Sequence, residues 1–150
     1  MTSQLNVDTI VDKAGSGGTN VKVANTSTYV SDGGNATQNT VQALPKCWAR
    51  WNMSGTAANV DTFNISSFSD NGTGDCTQTY TNNFSNSDYA VTACSGELAG
   101  GGNRSVGVRG SSQAPSTSAV AFLSFYFPAG SGAAALDETF NCASWMGDLA

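Results

Sequence analysis

Acidic side chains are the residues of this chain best suited to chemistry, because the sequence contains no histidine. The lack of an imidazole excludes a Ser-His-Asp triad, a Cys-His pair and a histidine-ligated metal. Asp137 and Glu138 could supply one half of a glycosidase carboxylate pair. No partner carboxylate stands out, since Glu97 lies in a glycine-rich segment. We interpret Asp137 and Glu138 as a solvated pair at the start of a strand, and we expect no catalytic residue and no enzyme activity.

Asp70 and Asp75 enclose a second candidate site, of the oxygen-rich kind that suits Ca²⁺. An EF-type loop needs acidic groups at alternate positions and a bidentate Glu, and the stretch DNGTGD has neither. Asn71-Gly72 favours a hairpin turn instead, because this dipeptide readily adopts positive φ. We expect neither a metal site nor a cofactor.

The chain has four cysteines, Cys47, Cys76, Cys94 and Cys142, and no C-x-x-C pair, so zinc is not expected. If the turn between two of the strands centres on Ser85, Cys76 faces Cys94 across them. Two alternatives follow for this pair. The thiols pack as small apolar groups in a reducing cytosol, which we favour, or they form a disulfide after release into an oxidising medium.

The stretch CWARWNM alternates like a strand, with Trp51 and Met53 on one side and Trp48 and Arg50 on the other. Trp51 is therefore expected in the core. Trp48 has three alternatives: a subunit interface, where its ring stacks on a cation, a core position, or a sugar-stacking platform of Trp48, Trp51 and Trp145. We favour the interface, and Trp48 and Arg50 are our candidate interface residues.

Composition excludes several broad classes of protein. Charged residues make up 11% of the chain and the net charge is −5, so an interface with nucleic acid is not expected. Ser, Thr, Asn and Gly account for 66 of the 150 residues, while Leu, Glu and Lys are scarce, which disfavours long helices. No apolar run is long enough to span a bilayer, and the N-terminus has no secretory signal pattern. We expect synthesis in a cytoplasm and no membrane partner.

From residue 46 onward, short alternating segments separated by turn clusters indicate an all-β fold. In the second segment, Phe63 and Ile65 are expected to face inward. About seven such strands would form a small antiparallel β-sandwich preceded by an extended N-terminal arm. The predicted strands are 47–53, 62–66, 76–81, 89–94, 105–109, 117–127 and 139–145.

The first third of the chain has a different texture. Residues 1–24 contain a short apolar pattern in which Leu5, Val7 and Ile10 are candidate interface residues, followed by glycines. Residues 25–45 carry few apolar side chains and cannot bury a core of their own. They are either a flexible linker or a stalk ordered only by neighbouring copies.

Several stretches resemble the C-terminal domain of tailed-bacteriophage tail-fibre proteins. They are CWARWNMSGT (47–56), FNISSFSDNGTGD (63–75) and NSDYAV (86–91), and the opening LNVDTI (5–10) looks like the start of virion structural proteins. The resemblance implies three parts: a virion-anchoring arm (1–24), a stalk or linker (25–45) and a β-sandwich knob (46–150). It also implies a homotrimer, since a threefold axis lets three thin cores share apolar faces.

By this resemblance the chain is a non-enzymatic virion protein that holds other phage tail, baseplate or capsid proteins with residues 1–24. Its knob would contact a host surface glycan or protein. Loops at fibre tips carry such contacts, and glycine makes them adaptable. The alternative is a capsid decoration protein, either cement or head fibre, located on the head. The candidate receptor loop consists of Gly100, Gly101, Gly102, Asn103 and Arg104.

Overall fold

The structure, a computed structural model, describes residues 27–30, 37–96, 103–110, 113–128 and 132–149. Within these residues eleven strands pair in antiparallel sheets and no α-helix occurs, which confirms the all-β expectation. In chain order the strands are β1 (Thr28–Val30), β2 (Thr37–Asn39), β3 (Cys47–Asn52), β4 (Ala58–Phe63), β5 (Ile65–Gly72), β6 (Asp75–Tyr80), β7 (Ala90–Ser95), β8 (Asn103–Val108), β9 (Ala119–Phe127), β10 (Ala134–Ala135) and β11 (Asn141–Met146).

The chain divides into two compact units, Met1–Ala43 and Leu44–Ala150. In the first unit β1 pairs with β2, and the Thr40 N–H donates to the Ser27 carbonyl at 2.9 Å. This pairing was not predicted from the sequence, because its strands bury little and so carry no apolar pattern; Tyr29 is 61% exposed. The candidate residues Leu5, Val7 and Ile10, and the whole predicted arm 1–24, lie outside the described residues.

Two sheets build the second unit. The four-stranded sheet has the order β4-β3-β11-β7. The five-stranded sheet places β9 at its centre, with β6 and then β10 along one side and β8 along the other, and β5 pairs with β6. Each of the seven predicted segments overlaps at least one of these strands, while β10 was not expected.

Aromatic rings from both sheets meet in a core, as a sandwich requires. Trp51 and Trp145 come from the four-stranded sheet, and both are fully buried. From the five-stranded sheet, Phe122 lies 5.0 Å from the Trp51 ring and 5.6 Å from the Trp145 ring, measured between centroids. Tyr80 adds an edge contact to Trp145 at 6.2 Å. The inner faces of the two sheets are therefore packed on each other.

Polar side chains also bridge the two sheets inside the core. The buried Gln78 amide donates to the Asn59 side-chain oxygen at 2.8 Å, and the buried Ser124 hydroxyl donates to the Asn141 side-chain oxygen at 3.0 Å. The Asn141 amide donates in turn to the Glu138 backbone carbonyl. Because an unpaired buried amide is costly, these bonds favour one alignment of the sheets over others.

The connection from β4 to β5 corrects one expectation. The sequence predicted a single strand over 62–66 with both Phe63 and Ile65 inward, but Asn64 adopts φ 60° and the chain turns there into the other sheet. Ile65 packs against the core, whereas Phe63 is 53% exposed. The Asn64 side chain stabilises this corner by accepting from the Asn82 N–H at 2.7 Å.

The hairpin turn between β5 and β6 was predicted correctly. The turn occupies residues 72–75, and Gly72 and Gly74 have φ of 128° and 68°. A Cβ at Gly74 would also lie 2.7 Å from the Ser124 carbonyl oxygen, so this glycine permits a close backbone approach.

Candidate functional site

The outward-facing side of β3 carries the residues that the sequence analysis singled out. Trp51 is fully buried, as predicted, while Trp48 is 39% exposed and Arg50 is exposed. This follows from the period of two along a strand, which sends alternate side chains to opposite faces. Trp48 therefore lies on the outer face of the four-stranded sheet, and the core alternative for it is wrong.

Strand register determines what surrounds Trp48. On one side its partner is Phe63 in β4; on the other side it is Ser144 in β11, which in turn pairs with Thr92 in β7. Directly opposite residues of an antiparallel pair share a face and lie about 4.5–5.5 Å apart. Aromatic side chains thus occupy the β4-β3 half of this face, and small hydroxyl side chains occupy the β11-β7 half.

Several exposed apolar side chains lie on this outer face, which we call the aromatic face. Phe140 and Met146, which precede and end β11, are 39% and 38% exposed and join Trp48 and Phe63 there. Single exposed apolar residues are ordinary, whereas several on one sheet face make that face a candidate interaction surface. The sequence analysis missed Phe63 and Phe140, although the parity of β11 could have placed Phe140 on the outer side.

Two opposite charges lie on this face without an ion pair among the described residues. Asp61 is the register partner of Arg50. The Arg50 guanidinium instead sits 4.9 Å from the centre of the Phe140 ring, on the far side of β3 from Asp61. Within the described residues, the Asp61 carboxylate accepts from the neighbouring Thr62 N–H. Both charges remain available to a partner.

A shallow depression runs beside Trp48 over the small side chains of β11 and β7. Its volume is about 300 Å³. We call it the trough; it is lined by Trp48, Ala49, Arg50, Thr92, Ala93, Cys94, Cys142, Ala143 and Ser144. A trough of this size is at the lower limit of small-molecule sites and is open on one side.

The trough contains a disulfide between Cys94 and Cys142, whose Cα atoms are 5.4 Å apart. The predicted pairing of Cys76 with Cys94 is wrong. It assumed that β6 and β7 are neighbours, but β6 pairs with β5 and β9, and β7 pairs with β11. Cys94 and Cys142 are directly opposite each other in that last pair.

Cys76 and Cys47 are buried free thiols. The sequence favoured buried thiols at both Cys76 and Cys94. This prediction is correct for Cys76 and wrong for Cys94, which is exposed. Burial raises the pKa of each thiol from 9.0 to about 12, and for Cys76 the charges of Asp75 and Asp70 add to it. A thiol that stays protonated at neutral pH is a poor nucleophile. These two side chains serve packing.

The prediction of an exposed receptor loop is wrong for its last residue, Arg104. Arg104 belongs to β8, its side chain is only 9% exposed, and it pairs with Glu138 and lies 4.0 Å from the Tyr126 ring centre. Arg104 points inward because it lies two positions before the buried Val106 on the same strand, and such residues face the same side of a sheet. Asn103, also in β8, is exposed, and Gly100, Gly101 and Gly102 lie outside the described residues.

The sequence interpretation of a solvated acidic pair is correct for Asp137, which is exposed, and wrong for Glu138, which is buried. The Asp137 carboxylate accepts from the Gly74 N–H at 2.6 Å, and the Glu138 side chain is 4% exposed beside Arg104. Both contacts join segments far apart in sequence, so both carboxylates have structural partners.

Asp70 and Asp75, the carboxylates beside the β5–β6 turn, also have structural partners. Asp75 pairs with Arg109, and Asp70 accepts from the Gly72 N–H at 3.0 Å. Within the described ranges, no group of three or more His, Cys, Asp or Glu side chains is arranged to hold a metal ion.

We compared the chain with known protein families, curated proteins and solved structures. No protein-family model, no curated protein and no solved structure matches the chain. Over the part of the chain that the structure describes, no helix is long and apolar enough to cross a membrane. The aromatic face and the trough are therefore the features on which a function must be argued.

Proposed function

We propose that this protein is a non-enzymatic virion structural protein, a small trimeric subunit of a phage tail fibre. Residues 1–24 attach it to the particle, and the β-sandwich contacts the host surface. The proposal starts from the resemblance of residues 47–56, 63–75 and 86–91 to tail-fibre C-terminal domains.

The aromatic face is the observation that carries the proposal. A single sandwich of this size buries few large side chains, and an exposed cluster of Trp48, Phe63, Phe140 and Met146 adds apolar surface that water disfavours. Association of copies through that surface stabilises a thin domain without enlarging its own core. A repeated, multivalent assembly also suits adhesion, because several weak contacts act together.

The surroundings of the acidic residues favour binding over catalysis. Glycoside hydrolysis needs two carboxyl groups about 5–10 Å apart flanking the scissile bond. Asp137 and Glu138, the adjacent pair first considered, contact Gly74 and Arg104 instead. Asp61, the carboxylate on the aromatic face, has the cation Arg50 rather than a second acid as its register partner.

Counting copies in purified particles tests the proposal. Quantitative mass spectrometry of virions from the phage that encodes this chain is expected to find a few to several tens of copies per particle. Hundreds of copies would favour the capsid decoration alternative. Absence from the particles would refute both.

Adsorption tests the contact with the host. Purified knob protein added before the phage is expected to slow adsorption to host cells, and the same amount of denatured protein provides the control. Unchanged adsorption at saturating protein would contradict a host-contact role.

A further inference from the structure

We infer that the aromatic face joins copies of this chain, with Trp48 of one copy seated in the trough of the next. This inference rests on the proposed function, since it names the surface through which the proposed trimer forms. A second copy is therefore the occupant of the trough.

The two halves of the face have complementary shapes. On the β4-β3 half, Trp48 and Phe63 project as an aromatic pair. On the β11-β7 half, Thr92 and Ser144 leave the trough of about 300 Å³. A projection and a depression side by side on one face allow each copy to donate a Trp48 and to accept another. Such a head-to-tail contact closes into a ring when the rotation between copies is a simple fraction of a turn.

The two charges on this face, Asp61 and Arg50, are also complementary between its two halves. Asp61 lies on the projecting half, and the Arg50 guanidinium leans over Phe140 toward the β11-β7 half. When the projecting half of one copy meets the trough half of the next, Asp61 approaches the Arg50 of its neighbour. Opposite charges across an interface select partner and register. Since neither residue forms an ion pair among the described residues, the contact breaks no existing salt bridge.

The area is sufficient for a specific contact. At their exposed fractions, Trp48, Phe63 and Phe140 still offer about 200–330 Å² of aromatic surface. A standard interface buries about 800 Å² per partner, of which about 56–65% is apolar. Three side chains thus supply roughly half of the apolar part, and Met146 and the Cys94–Cys142 disulfide lie beside them.

Light scattering on a sizing column tests the contact with the full-length protein. The wild type is expected near three times 15.3 kDa, about 46 kDa. Trp48→Ala removes the projecting ring, and Thr92→Phe fills the trough; each is expected to raise the dissociation constant by at least about 30-fold, the effect of a hot-spot residue. The matched control is Phe127→Ala, which removes a 42% exposed aromatic from the other sheet and should keep the trimeric mass.

Mixing the two variants separates lost contact from lost fold. Trp48→Ala removes one wall of the trough but leaves Thr92 and Ser144 open to a neighbour, and Thr92→Phe keeps its projecting ring. An equimolar mixture is therefore expected to form pairs near 31 kDa, twice 15.3 kDa, that neither variant forms alone. Circular dichroism spectra that match the wild type would show that both variants are folded.

A trimeric Trp48→Ala variant, a wild type that stays monomeric at every concentration, or a mixture without pairs would overturn the inference. A trimeric Trp48→Ala variant or a mixture without pairs concerns the contact alone, whereas a monomeric wild type would also contradict the trimeric state of the proposed function. The place of the chain in the particle is tested separately by its copy number. Absence of the chain from particles would refute the proposed function even if Trp48→Ala dissociated the copies.

Discussion

Replacing Cys94 and Cys142 together by serine is expected to lower the free energy of unfolding of the oxidised protein substantially. The bond joins residues 48 apart in sequence, and in the chain-entropy relation a loop of that length corresponds to about 4 kcal/mol at 25 °C. The side chains themselves add little, because Cys94 is exposed and Cys142 is half-buried. That loss is a large share of the roughly 5–15 kcal/mol that stabilises a small domain.

Urea unfolding followed by tryptophan fluorescence measures the effect. Oxidised wild type, wild type reduced with a phosphine and the double serine variant are compared at one protein concentration, because association changes apparent stability. The reduced wild type and the variant should coincide, and both should unfold at lower urea than the oxidised protein. A difference below about 1 kcal/mol between oxidised and variant protein would refute the loop-entropy reasoning.

Tryptic mapping of the oxidised protein checks the pairing on which that figure depends. Cleavage after Arg50, Arg104 and Arg109 separates Cys142 from the other cysteines. The Cys94–Cys142 bond links peptide 51–104 to peptide 110–150. A loop within 51–104, with 110–150 released free, would show the Cys76–Cys94 pairing and contradict the strand order.

Three further changes test the interior. Phe122→Ala removes a fully buried ring between two tryptophans and should lower the free energy of unfolding in urea by about 3–5 kcal/mol. Phe127→Ala on the same strand removes a ring that is 42% exposed and should lower it far less. Equal losses would contradict the inward direction assigned to Phe122 in β9. Glu138→Gln leaves Arg104 charged and buried without its partner, and should cost about 3–5 kcal/mol at pH 7; a loss below 1 kcal/mol would contradict the buried pair. Burial raises the pKa of Cys47 to about 12, so above pH 9 the unfolded chain loses this proton first. Cys47 therefore contributes a loss of stability of about 1.4 kcal/mol per pH unit up to pH 12, and Cys47→Ala should reduce the measured slope by that amount.

Local pattern was sufficient wherever the structure depends on neighbours in sequence. The alternation in CWARWNM correctly placed Trp51 in the core and Trp48 and Arg50 on the opposite side, because side-chain direction along a strand has a period of two. Asn71-Gly72 likewise identified the β5–β6 hairpin, whose turn needs positive φ. The all-β class followed from many such local signals.

Errors arose where a residue's partner is distant in sequence. Phe63 was assigned to the core because the alternation was continued through Asn64, whose left-handed conformation moves the chain from one sheet to the other. Arg104 was assigned to an exposed loop and Glu138 to a solvated pair, since nothing local signals that a counter-charge 34 residues away makes burial tolerable.

By itself, then, the sequence determined the fold class, the absence of histidine chemistry, the alternation of β3 and the glycine turn of the hairpin. The tertiary structure alone decided that β7 pairs with β11, so that Cys94 meets Cys142, and that Phe63, Trp48 and the trough share one face. The physical reason is that strand alternation is set by the backbone of each segment. Strand neighbours, in contrast, are set by packing of the whole core, in which Phe122 and two tryptophans from separate strands must meet.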